Sequence, residues 1–287
     1  MPGGPALLPR KILCPNLFPP LLQFLSPGAT DGIGYATARQ FVDDGATVYL
    51  HAPDQDSGEK AMTRLVKDGA EPLRLRLVVA DFTRLDEVAD LADMLTLALP
   101  ALDVLVNNAA VAGPERHTYT QDGHELTFQV NYLSAYLLTT KLVCNLTSAR
   151  GRVVNLSSVM HRGGNVFWKN PGGGCPYSPL AVYAQSKLAL TMYTRSLAEA
   201  SGASFTALSV HPGVFQTRLL PVYGHVGRPV EEAAAILTTL GSPTYPVVDG
   251  GYYDGLEAVR AAALVENARA RRRLEKLSTH LLGSLLD

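Results

Sequence analysis

Short apolar runs recur along the chain, and between them lie longer stretches in which apolar positions return with helical period. The short runs predict strands at "LLQFLS" (21–26), "ATVYLH" (46–51), "LRLRLVVA" (73–80), "LDVLVN" (102–107), "RVVNLS" (152–157), "FTALSV" (205–210) and "YPVV" (245–248). The periodic stretches predict helices over 33–43, 56–67, 85–98, 123–143, 181–200 and 230–240. Strands separated by helices of this length need crossover connections. The expected fold is therefore α/β: a single-domain, doubly wound parallel sheet with helices on both faces, of the Rossmann type. No repeat and no break in composition divides residues 21–287, so they read as one domain. Residues 1–20, rich in proline, read as an irregular extension. The run 163–179, "GGNVFWKNPGGGCPYSP", is the longest expected loop, and loops of that length are often functional.

Composition narrows the function classes. With 287 residues, 47% of them hydrophobic, the chain can bury a large core. A net charge of −1 gives no global attraction to nucleic acid, and none is expected as a partner. The local cluster Arg269, Arg271, Arg272 and Arg273 reads as the solvated face of a C-terminal helix. Cys14, Cys144 and Cys175 are odd in number and show no metal-ligand spacing, which fits a reducing compartment, with cytoplasmic location as the expectation and no metal. Prolines 9, 15, 19 and 20 interrupt the apolar N-terminal stretch, so it reads neither as a signal peptide nor as a membrane span.

Gly28, Gly32 and Gly34 follow the first strand and open the first helix, with spacing G-x-x-x-G-x-G. Such a turn offers bare N–H groups and the positive end of a helix dipole to a pyrophosphate. The amides of Thr30, Asp31, Gly32, Ile33 and Gly34 are the candidates, although glycine turns also simply connect strands to helices. Pro27, just before the first glycine, cannot donate a ladder hydrogen bond. Its expected effect is on the end of the strand, not on the anion site.

Five further motifs follow in order: "NNAA" (107–110), Asn131 in "FQVNYLSAYLL", Ser158 in "RVVNLSSV", Tyr183 and Lys187 in "YAQSK", and "HPGVFQT" (211–217). With the glycine turn they resemble the short-chain dehydrogenase/reductases over residues 22–255. The long interval from Ser158 to Tyr183 resembles the retinol-dehydrogenase-like branch. The sequence departs from the family's T-G-x-x-x-G-I-G at Pro27 and from N-N-A-G at Ala110. The resemblance implies an NAD(P)-dependent oxidoreductase that interconverts a carbonyl and an alcohol. It implies cofactor contacts from Gly28 and Thr30 to Gly34; from Asp81 and Phe82 at the adenine; from Asn107, Asn108 and Ala109; and from Pro212, Gly213, Val214 and Thr217. It also implies that Lys187 holds the nicotinamide ribose and that Asn131 binds a water leading from Lys187 to solvent. Taken one at a time, these residues have plainer readings: a surface Y-x-x-x-K, a serine turn, a helical asparagine, and an acid at a helix start for Asp81.

The chemistry of the four catalytic candidates Asn131, Ser158, Tyr183 and Lys187 can also be argued directly. Tyr183 and Lys187 stand at i and i+4, on one helix face. A nearby ammonium favours the phenolate, so the tyrosine can act as acid in reduction and base in oxidation. Ser158, at the end of a parallel strand, is placed to hydrogen-bond the substrate oxygen. His51 and His161 read as strand-end or loop residues, and Tyr252 and Tyr253 as packing residues.

An acid at the end of the second strand would bind a ribose 2′-hydroxyl, and an arginine there a 2′-phosphate. Those positions hold Ala52 and Pro53; Asp54 comes late and Asp31 is not basic. The expected cofactor is NADP, with NAD as the alternative. The expected substrate is a small, apolar carbonyl or alcohol, and the expected assembly a homodimer or homotetramer. Two rival functions remain: a dinucleotide-binding regulator without turnover, and an epimerase or dehydratase of the same superfamily, which usually carries G-x-x-G-x-x-G spacing instead.

Overall fold

In the computed structural model, which describes residues 22–169, 171, 177–222, 224 and 226–286, the first six apolar runs become strands. They are β1 (Gln23–Ser26), β2 (Thr47–Ala52), β3 (Leu75–Val79), β4 (Val104–Asn107), β5 (Arg152–Leu156) and β6 (Thr206–His211). With β7 (Tyr252–Asp254) and β8 (Glu257–Val259) they form one sheet in the order β3-β2-β1-β4-β5-β6-β7-β8. Every neighbouring pair is parallel except β7 and β8. The strands are short and apolar on both faces because each side is roofed by helices. Successive residues feed opposite cores. Phe24 stacks on Phe41 and shares one core with Val48, Val104 and Leu208, while its neighbour Leu25 belongs to the other core, with Leu105, Val153 and Leu188.

The helices are α1 (Gly32–Asp43), α2 (Gln55–Lys67), α3 (Leu85–Ala98), α4 (Leu126–Phe128), α5 (Ser134–Lys141), α6 (Val143–Ala149), α7 (Pro179–Ser201), α8 (Val230–Gly241), α9 (Ala263–Glu266) and α10 (Ala268–Leu282). Phe41 of α1 and Leu237 of α8 belong to one core; Leu91 of α3, Leu137 of α5, Leu188 of α7 and Leu274 of α10 belong to the other. The strand order reverses between β1 and β4, which opens a crevice at the carboxyl ends of those strands.

Three expectations need correction. "YPVV" is not a strand. Its first carbonyl, Tyr245 O, accepts from the buried Arg152 Nη1 at 3.1 Å, as Leu240 O and Ser242 O just before it do at 2.9 and 2.5 Å; Val248 N donates to the Tyr253 hydroxyl at 2.7 Å, and β6 pairs with β7. The helix expected over 123–143 starts later and is broken by a π-helical turn, Gln129–Leu133, between α4 and α5. Finally, the arginines of α10 are not all solvated. Arg271 is 5% exposed, grips both carboxylate oxygens of Glu199 at 2.6 and 2.7 Å, and donates to Val265 O; Arg273 lies over Trp168. Tyr252 and Tyr253 are buried packing residues, as read. The extension 1–20, with Cys14, and part of the 163–179 loop, with Cys175, lie outside the described residues.

Candidate active site

A cavity of about 740 Å³ opens where the crevice predicts. The glycine turn forms one wall. Pro27 is the first residue after β1, so the ladder ends at Ser26 before a missing N–H matters. Gly28 has φ +72°, and a Cβ there would come within 2.8 Å of Ala109 Cα. A Cβ on Gly34 would come within 2.4 Å of Gly28 O and 2.5 Å of Asn108 Nδ2. The turn is bare because its own carbonyls and the "NNAA" segment fill the space behind it. Asn108 Nδ2 donates to Pro27 O and Gly28 O at 3.2 and 2.9 Å, tying this turn to the end of β4. Asp31 caps α1 by accepting from Gly32 N at 2.8 Å.

The opposite wall comes from α7 and the end of β5. Tyr183 and Lys187 both line the cavity, 2% exposed each. Lys187 Nζ lies 5.7 Å from the Tyr183 ring centre and donates to Leu156 O at 2.7 Å. Desolvation alone pushes its pKa down to about 7. Ser157 lines the cavity and shares a 2.6 Å hydrogen bond with Thr191. Ser158 does not form the wall. It is fully buried, caps a 3₁₀ turn (Val159–Gly163), and its Oγ accepts from Met160 N at 3.0 Å.

Asn131 sits in the middle of the π-helical turn, which turns its side chain toward the loop after β4. Oδ1 accepts from Val111 N at 2.8 Å, and Nδ2 donates to Val111 O and Ser186 Oγ at 3.0 and 3.1 Å. It therefore ties the 110–114 loop to α7. The same loop packs so closely on α7 that a Cβ on Gly113 would lie 2.3 Å from Pro179 O.

Among the remaining candidates, Thr30, Ile33, Asp81, Phe82, Pro212, Gly213 and Thr217 line the cavity. Asp81 accepts from Thr83 N at 2.9 Å and does not cap α3, whose cap position is Arg84. Asn107 points inward, donating to Thr139 Oγ1 and Asn155 Oδ1 at 2.9 and 2.7 Å, so its side chain ties β4 to β5 and α5. Val214 is not in the wall; its carbonyl accepts from Arg228 N in the segment that covers the cavity. That segment adds Phe215, Gln216, Arg218, Leu219 and Leu220, which only the "HPG" position could have hinted at. Arg218 reaches across to Asp31 at 3.4 Å. His51 is also in the wall, and strand pattern alone could not have placed it there.

At the end of β2 the residues are Ala52 and Pro53, and Asp54 is committed to capping α2 through Ser57 N at 2.8 Å. Two cations lie beside the turn instead. Arg64 donates to Thr30 O at 3.3 Å and stacks 3.6 Å over the Tyr35 ring; Arg218 pairs with Asp31. A glycine turn bare enough for phosphate oxygens, with cations at its rim, fits a nicotinamide dinucleotide. Among the described residues there is no cluster of side chains that could hold a metal ion, and no helix is long and apolar enough to cross a membrane.

The doubly wound sheet with a cavity at its crevice is the architecture of dinucleotide-binding proteins. The profile of the short chain dehydrogenase family matches residues 25–224, and the chain belongs to that family. It is 32% identical to mouse retinol dehydrogenase 13 over 276 residues, 89% of this chain and 82% of that one. It is 35% identical to human polyprenol dehydrogenase over 208 residues, 69% of this chain and 61% of that one. The solved Pseudomonas aeruginosa RhlG/NADP active-site complex superposes with a TM-score of 0.63 at 25% identity, covering 81% of this chain and 94% of that one.

Proposed function

We propose that this protein interconverts an apolar carbonyl compound and its alcohol, with Tyr183 as the acid and base and NADP(H) as the hydride carrier. The observation that carries the reading is that one cavity is walled on one side by the glycine turn and on the other by Tyr183 and Lys187. The dinucleotide, when bound, supplies or accepts the hydride at its nicotinamide ring. In carbonyl reduction, the Tyr183 hydroxyl donates its proton to the substrate oxygen; in oxidation it takes the proton back. Lys187, held by Leu156 O, stabilises the phenolate and binds ribose hydroxyls. Asn131 fixes the loop that faces α7. Ser158 Oγ accepts from Met160 N and, as a hydroxyl, also carries a proton to donate to the substrate oxygen.

The substrate reading rests on the cavity lining of Val111, Val130, Leu156, Phe215, Leu219 and Leu220 and on the names of the two relatives, a retinol dehydrogenase and a polyprenol dehydrogenase. The preference for NADP rests on the absent acid at the end of β2, on Arg64 and Arg218 beside the turn, and on the NADP in the similar Pseudomonas structure. The test is a panel of isoprenoid, aliphatic and aromatic aldehydes, ketones and alcohols, assayed with both cofactors by nicotinamide absorbance. Turnover on apolar members with NADP(H) is expected. Tight dinucleotide binding with no hydride exchange across the panel would instead support a regulator.

A further inference from the structure

Pro27 leaves the start of the glycine turn with one donor fewer, and the next two amides both go to a single residue on the neighbouring strand. Gly28 N–H donates to His51 Nδ1 at 3.1 Å, and Ala29 N–H donates to His51 O at 3.2 Å. His51 is the fifth residue of β2 and is 2% exposed. Its other ring nitrogen faces Ala80 O at 2.8 Å, and the ring packs against Phe82 with centres 4.3 Å apart. An amide N–H can only donate and a carbonyl can only accept, so the partners determine the tautomer: neutral, with the proton on Nε2 and the lone pair of Nδ1 turned to Gly28. One ring thus joins the turn after β1 to the segment after β3, and both segments line the cavity.

We propose that His51 is the positioning residue of the cofactor turn: through Nδ1 it sets the orientation of the Gly28 peptide, and with it the anion-facing amides that follow. The inference rests on the reading of this cavity as a dinucleotide site. Two features favour positioning over a plain strand staple. Gly28 lies at positive φ, and both its N–H and its carbonyl are bonded to other segments, to His51 and Asn108. The carbonyl side of the same peptides is held separately by Asn108. His51 therefore supplies the acceptors and Asn108 the donor of one clamp, and loss of either lets the turn rotate.

The two ring nitrogens can be tested apart. In His51→Asn, Oδ1 occupies the place of Nδ1 and keeps an acceptor for Gly28, while the donor to Ala80 is lost. In His51→Gln, the amide nitrogen occupies the place of Nε2 and keeps the donor to Ala80, while the acceptor is lost. The dissociation constants of NADPH and NADH are measured by calorimetry for wild type, His51→Asn, His51→Gln and His51→Leu, with the melting temperature of each free protein recorded alongside. The expected result is that His51→Asn binds within about threefold of wild type and that His51→Gln and His51→Leu bind about tenfold more weakly, the size of one lost hydrogen bond. The loss should fall on the dissociation constant and KM for dinucleotide, with kcat at saturating cofactor within about twofold. Any ranking in which His51→Gln binds as well as His51→Asn overturns the proposal. A wild type that binds neither dinucleotide overturns the reading on which it rests. If His51→Leu does not fold, the comparison of the Asn and Gln variants still decides.

Discussion

Tyr183 and Lys187 share the cavity because a step of four residues along α7 returns to the same helix face. A phenol with an ordinary pKa of about 10 needs roughly 4 kcal/mol of differential stabilisation to titrate near pH 7. The lysine beside it is itself pushed down to about 7 by burial, and a phenolate formed next to it would favour the ammonium as the ammonium would favour the phenolate. Tyr183→Phe keeps the ring and removes the proton. We expect kcat to fall at least about a hundredfold while dinucleotide affinity stays near wild type; near-normal turnover in stopped-flow or steady-state assays would refute the acid/base role. Lys187→Ala removes the group that favours the phenolate, so the pH profile for alcohol oxidation should move upward and KM for the cofactor should rise. A profile that stays in place would separate Lys187 from Tyr183.

At the scale of elements, the site depends on close backbone approach. β1 and β4 are adjacent, and the glycine turn after one packs on the "NNAA" segment after the other without room for a Cβ at Gly28 or Gly34. Gly34→Ala would place a methyl against Gly28 O and Asn108 Nδ2, both parts of the turn's own clamp. The expected outcome is a loss of about 1–3 kcal/mol in chemical denaturation and loss of dinucleotide-induced stabilisation in a thermal-shift titration. The glycine spacing was readable from the chain, as were six of the strands, because their apolar runs sit between clear helical periods. The π-helical turn was not, since the extra residue around Asn131 leaves the apolar pattern nearly unbroken. "YPVV" misled because an apolar run says nothing about a buried arginine from another strand that claims its first carbonyl.

At the scale of the whole molecule, folding buries histidines that the unfolded chain leaves free to protonate. Desolvation holds His51 and His161 down to about 4, against 6.5 in the open chain; a backbone carbonyl contact and, for His51, the charge of Asp81 oppose this only in part. Between those values the unfolded chain binds more protons at these two sites than the folded one, so their contribution to stability is full above about pH 6.5 and is lost as pH falls toward about 4. The two together can amount to several kcal/mol. The melting temperature should therefore fall steadily from pH 7 to pH 4.5, and His51→Asn, with no group to titrate, should make the fall shallower. A slope unchanged in that variant would show that His51 does not contribute.

The order of short apolar runs and helical periods was enough to determine a doubly wound sheet, because a run that is apolar on both faces has to be roofed on both sides. The local spacings were enough to place Tyr183 beside Lys187 and to mark a bare turn, because helix pitch and glycine's missing Cβ are properties of a few neighbouring residues. Only the tertiary structure decided what depends on partners far along the chain. It turned Asn107 inward onto Asn155 and Asn131 onto Val111. It also brought His51 under Gly28, across 23 residues of sequence. Hydrogen-bond partners of this kind are chosen by strand order and register, and those follow from how the two cores close on the sheet, not from any single stretch of residues.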